Sequence, residues 1–158
     1  MVLENFIRNE FIALELDLQT KEEVVLCLGS MLLSAGYVKD SFINAVLERE
    51  KMFPTGLATQ DVHVAIPHTD VEHCLKPGIA IGLLKTPVVF TEMASTDQQV
   101  NVEMVFLLSI TEPTQQVIWL SRLATLFQTP YVLKKLMSLS DPELFRVLFT
   151  TELKKAKA

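Results

Sequence analysis

Cysteine is scarce: Cys27 and Cys74 are the only two in 158 residues, too few for a disulfide framework or a metal quartet. Long hydrophobic runs are missing too, since nothing reaches the ~18 to 20 uninterrupted apolar residues that a membrane helix needs. The richest stretches, Val24 to Leu33 and Val102 to Ile110, are shorter and suit core elements. The start places Glu4 and Glu10 among apolar residues and lacks the basic, then apolar, plan of a secretory signal. These absences together lead to the expectation of a cytoplasmic protein. Clustered positive charge is also absent. The net charge is −5 with Lys and Arg scattered, which argues against nucleic acid, whose binding wants a basic face to displace counterions. Lys154, Lys155 and Lys157 form the only dense basic group and read as a solvated tail. Repeats and low-complexity segments are lacking. There is no glycine-rich phosphate loop, which disfavours ATP as a phosphoryl donor, and no serine in an elbow motif for acyl transfer.

What is present is 49% hydrophobic residues, enough at this length for one substantial core and too little chain for two ordinary domains. The expected unit is a single domain over residues 1–158 with its core at about 10–150. Ile12, Leu14, Leu16 and Leu18 alternate with polar or small residues and predict a first strand over Phe11 to Leu18. Thr20 with Glu23 makes a capping box, Val24, Leu28, Met31, Leu32 and Ala35 fall on one helical face, and Gly36 supplies the stop. Cys27, inside that helix, reads as a buried and inert thiol. A second helix is expected from about Asp40, placed to cap, to Arg49, with Phe42, Ile43, Val46 and Leu47 facing inward. Its end, Glu48, Arg49, Glu50 and Lys51, looks like a solvated, charge-mixed terminus.

Phe53, Pro54, Thr55 and Gly56 make a turn by composition, followed by a loop over Leu57 to Asp61. Ile79 to Leu84 and Val88 to Phe90 are strand candidates separated by a turn at Lys85, Thr86 and Pro87. From Val100 to Ile110 a strand is expected with Val102, Met104, Phe106, Leu108 and Ile110 on one face. Its other face changes from Asn101 and Glu103 to Val105 and Leu107, as in a strand that starts near an edge and ends covered on both sides. Three helices follow. The first runs from about Thr114 to Phe127 on a stripe of Val117, Leu120, Leu123, Ala124 and Phe127, with Trp119 in the core. The others open with Thr129 and Pro130, and with Asp141 and Pro142, as cap and first helical residue. Strands interleaved with helices predict an α/β sandwich.

The chemistry concentrates where a β-type segment stops. Val62, Val64 and Ile66 alternate with His63 and Ala65, and Pro67, with no N–H to donate, ends the ladder. His68 should therefore stand on a strand-end loop, accessible yet well aimed. A metal site is the first competing idea, since His68, Asp70, His73 and Cys74 supply suitable atoms. Their spacing matches no recognised ligand frame, so neither metal nor cofactor is expected. His63 reads as a partly exposed strand residue and His73 as loop surface.

Ala65, Ile66, Pro67 and His68, preceded by Arg49, Glu50 and then Pro54, Thr55, Gly56 and Leu57, resemble the active-site signature of phosphotransferase-system enzyme IIA domains of the fructose/mannitol/galactitol type. Thr69 and Asp70 after the histidine, with the Phe53 to Gly56 turn, are most similar to the galactitol-type branch. The resemblance runs from the helix near Thr20 to the helix ending near Leu148. It implies a mixed parallel and antiparallel sheet with helices on both faces. It further implies that His68 takes a phosphoryl group from the phosphohistidine of the small carrier HPr and passes it to a cysteine of a sugar-specific IIB component. The membrane would then be met only through the IIB and IIC transporter, and the cargo would be galactitol or a related sugar or sugar alcohol.

The same resemblance places Arg49 near the reactive histidine, where a permanently charged donor fork fits phosphate oxygens. Thr55 is the hydroxyl candidate, and backbone N–H groups around Thr69 could assist. Relatives often carry a second histidine near the start of the helix after the long strand; the matching position here is Gln116, which can hydrogen-bond without titrating. The loop after Gly56 is about three residues longer than in mannitol-type relatives. The alternative reading is a regulatory module of the same fold, whose phosphorylation state controls a partner rather than feeding a transporter.

Overall fold

Alternating apolar residues build β1 (Ile12–Leu16), shorter than its pattern because Glu15 takes a positive φ of 56° and the pairing shifts between Ala13 and Leu16. The computed structural model describes residues 6–156, so Lys157 of the basic tail lies outside the described residues. Thr20 caps α1 (Lys21–Ser34) as expected: its hydroxyl oxygen accepts from the Glu23 N–H, and its proton goes to the Glu23 carboxylate. Gly36 at φ 79° ends the turn after it. Val24, Leu28 and Leu32 are buried, but Ala35 is exposed past the helix end and Cys27 is only half-buried, since it sits beside the packed stripe rather than in it. The helix lies close on its neighbour, for a Cβ at Gly29 would stand 2.6 Å from Ile43 Cγ1.

That neighbour, α2 (Phe42–Met52), starts after Ser41, and Asp40 does not cap it. The Ser41 hydroxyl is drawn away to His73 Nδ1 at 2.8 Å, so the first turn goes without a side-chain cap. The helix also runs past Arg49, and this places Glu50 inside the fold rather than in solvent. Two short strands follow, β2 (Gly56–Leu57) and β3 (Val64–Ala65), then the long pair β4 (Gly78–Thr91) and β5 (Gln99–Ser109). The order in the sheet is β1-β4-β5-β3-β2, with β1 and β4 parallel, β3 and β5 parallel, and the other two pairings antiparallel.

Pro87 does not divide β4. The strand continues through Lys85, Thr86 and Pro87, and the irregularity is absorbed as a register shift against β5 between Leu83 and Val88. That shift reverses which side chains face which way. Met104, Phe106 and Leu108 join Ile79, Ile81 and Leu83 on one face, whereas Val102 turns to the opposite face with Val88, Phe90 and Val100. A single alternating stripe from Val102 to Ile110 is therefore broken at its first member.

The first face is covered by α3 (Pro113–Gln128), α4 (Val132–Met137) and α5 (Pro142–Lys155), the second by α1 and α2. Each fully buried apolar side chain in these two layers contributes about 1.5–3 kcal/mol. Trp119 is buried and stacks on Phe6 at 4.2 Å between centroids, while Phe106 meets Phe127 at 5.1 Å and Phe149 at 5.5 Å. Val117 is not part of the stripe, being 69% exposed; α3 buries Trp119 and Leu123 instead. Asp141 caps α5 by accepting from the Glu143 N–H, with Pro142 in the first turn as expected. Thr129 and Pro130 do not play those roles for α4. The Thr129 hydroxyl bonds back to the Thr125 carbonyl of α3, and Tyr131, at φ 68°, precedes the helix.

Candidate active site

β3 hands the chain to the site. Val64 and Ala65 pair in parallel with Met104 and Val105 of β5, and the Pro67 carbonyl still accepts from the Leu108 N–H at 3.2 Å. The backbone therefore stays docked on β5 beyond its last paired residue, although Pro67 has no donor to give back. Val62, Val64 and Ile66 face one core layer and Ala65 the other, as the two-residue period requires.

His68 lies directly after this anchored segment, with only 8% of its surface exposed. Its Nδ1 is 2.8 Å from the Ile66 carbonyl oxygen. A carbonyl only accepts, so Nδ1 carries the hydrogen and the neutral ring holds its free electron pair on Nε2. Burial pushes the ring's pKa below the usual histidine value; the hydrogen bond to Ile66 and the Asp70 carboxylate oppose that, and the Arg49 guanidinium reinforces it. Both the hydrogen bond and the lowered pKa favour a neutral ring, the state in which an imidazole can act as a nucleophile.

Arg49, on the last turn of α2, reaches this loop through Asp70: Nη1 stands 3.5 Å from Oδ1. Its guanidinium lies over the Phe53 ring at 5.1 Å. Its Nε is enclosed and has no hydrogen-bond partner among the described residues.

Thr55 is buried, and Glu50 takes up both its donors: the backbone N–H goes to Oε2 and the hydroxyl to Oε1, each at 2.8 Å. The Thr55 proton is thus engaged inside the protein. Glu50 itself is 3% exposed, and burial lifts its carboxyl above the usual range while the two Thr55 bonds pull it back. The Thr55 carbonyl in turn faces the Ile66 N–H at 3.4 Å, so the turn after α2 is tied to the residue that orients His68. Gly56, next in the chain, lets the turn lie close against the end of β4, because a Cβ there would stand 2.6 Å from the Thr91 carbonyl oxygen.

Gln116, at the start of α3, donates through Nε2 to the Thr69 carbonyl at 2.8 Å and pins the segment just after His68. The structure therefore brings His68, Arg49 and Gln116 to one loop and places Thr55 behind it. Two groups were missed. The Ile66 carbonyl has no signature, being main chain, and Glu50 hides in a run of charges; the signal that it is buried is that Phe42, Val46 and Glu50 lie four residues apart on the packed face of α2.

The other histidines stand apart. His63 is half-buried and accepts from the Thr59 N–H at 3.1 Å, while His73 sits in the one-turn helix Val71–His73, bonded to Ser41. No group of three or more His, Cys, Asp or Glu among the described residues could hold a metal ion. Clefts of about 450 and 500 Å3 flank the Thr129–Pro130 corner and do not include His68. Among the described residues, no helix is long and apolar enough to cross a membrane.

Comparisons with known proteins bear on the family and the fold. The galactitol-specific EIIA component of Escherichia coli K12 is 30% identical over 136 residues, covering 86% of this chain and 90% of that one. The crystal structure of the mannitol IIA of Escherichia coli superposes with a TM-score of 0.71 at 25% identity, covering 92% of this chain and 97% of that one. The Escherichia coli mannitol IIA solved in complex with phosphorylated mannitol IIB gives 0.70 at 27%, covering 89% and 95%. The family model for the EIIA 2 component of the phosphoenolpyruvate-dependent sugar phosphotransferase system matches residues 5–151, and the chain belongs to that family.

Proposed function

We propose that the protein carries a phosphoryl group on His68 Nε2, taking it from phosphohistidine on HPr and delivering it to a cysteine of a IIB component. The observation that carries this reading is the ring's single, directional tie: with Nδ1–H held by the Ile66 carbonyl, Nε2 alone is left to react. In the first step the Nε2 electron pair attacks phosphorus in line, the Nε2–P bond forms, and the donor imidazole leaves with its own electron pair. In the second, the IIB thiolate attacks the same phosphorus and Nε2 recovers its pair. Neither step moves a proton on His68.

The transition state is loose, so the protein's task is to orient the reactants and stabilise charge on the transferring oxygens. Arg49 would supply the charge through the Nη1 end of its guanidinium, which already reaches the loop at Asp70. Gln116 holds the Thr69 backbone in place, and Thr55 supports the site through its carbonyl and its bonds to Glu50 rather than through a free proton. The chain would act as one EIIA type 2 domain in the cytoplasm, and its likeness to a galactitol-specific relative supports galactitol or a related sugar or sugar alcohol as the cargo of the transporter it would serve.

Incubation with enzyme I, HPr and phosphoenolpyruvate tests the reading. It predicts an acid-labile phosphate on His68, lost in His68→Ala, and passed to a IIB cysteine. Labelling that survives His68→Ala would refute it, and labelling of His68 without onward transfer to IIB would favour a regulatory role.

A further inference from the structure

His68 is bracketed by opposite charges. Arg49 approaches from α2, and two residues beyond the ring stands Asp70. Asp70 occupies the cap position of the one-turn helix Val71–His73, where an aspartate usually accepts a backbone N–H, yet it makes no such bond. It turns to Arg49 Nη1 instead, at 3.5 Å. The contact is long and the carboxylate is 69% exposed, so the pair is weak and open to exchange. A phosphoryl group offers the same guanidinium more charge and a better match to its donor fork.

Resting on the carrier reading above, we propose that Asp70 stands in for the phosphoryl group. It holds Arg49 while His68 is bare, yields the guanidinium when phosphate arrives, and then acts as a fixed like charge that eases the phosphate's departure. The Gln116 bond to the Thr69 carbonyl keeps the carboxylate near, since it immobilises the residue between ring and acid. Arg49 and Asp70 thus pull the phosphorylated state in opposite directions, and the transfer potential lies between them. A carrier must both accept and release, and an arginine alone would serve only the first.

A competing role, Asp70 as a mere anchor for Arg49, predicts the opposite sign. Losing an anchor loosens the guanidinium and weakens phosphate retention; losing a competitor strengthens it. The test phosphorylates wild type, Asp70→Asn and Asp70→Glu with enzyme I, HPr and phosphoenolpyruvate, and measures the equilibrium with phospho-HPr. Asp70→Asn should shift it toward the phosphorylated chain by roughly three- to tenfold, the effect of one nearby charge in the water-like dielectric around an exposed carboxylate. Asp70→Glu should stay near wild type. Titration of the His68 ring by NMR should fall in Asp70→Asn, because a carboxylate that favours the imidazolium is gone. An unchanged or reversed equilibrium in Asp70→Asn, with His68 still labelled, overturns the proposal and leaves the carrier reading standing, as does a Glu variant that behaves like Asn. Absence of label on wild-type His68 defeats both.

Discussion

Arg49 and Glu50 are adjacent in the chain and have opposite environments, one half-exposed beside His68 and the other enclosed under Thr55. Arg49→Ala should slow phosphoryl transfer on the order of a hundredfold, the usual loss when a charge stabiliser is removed. Its melting temperature should stay near wild type, since the ion pair it loses is weak. Glu50→Ala leaves the buried Thr55 N–H and hydroxyl unpaired and should cost about 1–3 kcal/mol in urea unfolding. Glu50→Gln should cost less, because an amide can still bond both. The pH response of His68 follows from its depressed pKa. Phosphorylation should persist below the ordinary histidine value of ~6.5 and fall only at lower pH, when the ring finally protonates. Stability shares that sign: the folded state binds the proton less well than the unfolded chain. Its contribution is present above the unfolded value and lost as pH falls through the folded one. NMR of the ring and denaturation at several pH values check both. The strand-end placement of His68 was readable from an alternating run cut by proline, whereas the roles proposed for His68, Arg49 and Gln116 came from the family pattern. The Ile66 carbonyl was not readable, because every residue has one.

Helix ends were legible where the capping side chain has no better offer. Thr20 and Asp141 cap as expected; Asp40, Ser41 and Thr129 do not, since Ser41 is bonded to His73 and Thr129 reaches back to α3. Such competition involves partners distant in sequence, or the preceding helix, so composition alone does not reveal it. Asp141→Ala should therefore destabilise the protein by about 1 kcal/mol, read from thermal unfolding, while Asp40→Ala should leave stability unchanged within error. β4 and β5 teach a similar lesson. Each is visible as a run of apolar residues, but the shift between Leu83 and Val88 depends on both strands at once, and it moves Val102 to the other face.

In the whole molecule, one sheet separates two apolar layers, and Phe106 is central to the layer under α3, α4 and α5. Phe106→Ala should cost about 3–5 kcal/mol, followed by the fluorescence of Trp119, the single tryptophan, which lies in the same layer. The α/β class and both helical layers were apparent from interleaved strand and helix patterns. The strand order was not, because β2 and β3 are two residues each and owe their places to neighbours. The tie between Nδ1 of His68 and the oxygen of Ile66 has a last consequence. No codon change can delete an atom common to all twenty amino acids. As long as the sheet assembles, drift at nearby positions can alter how fast the imidazole works without erasing the direction in which it points.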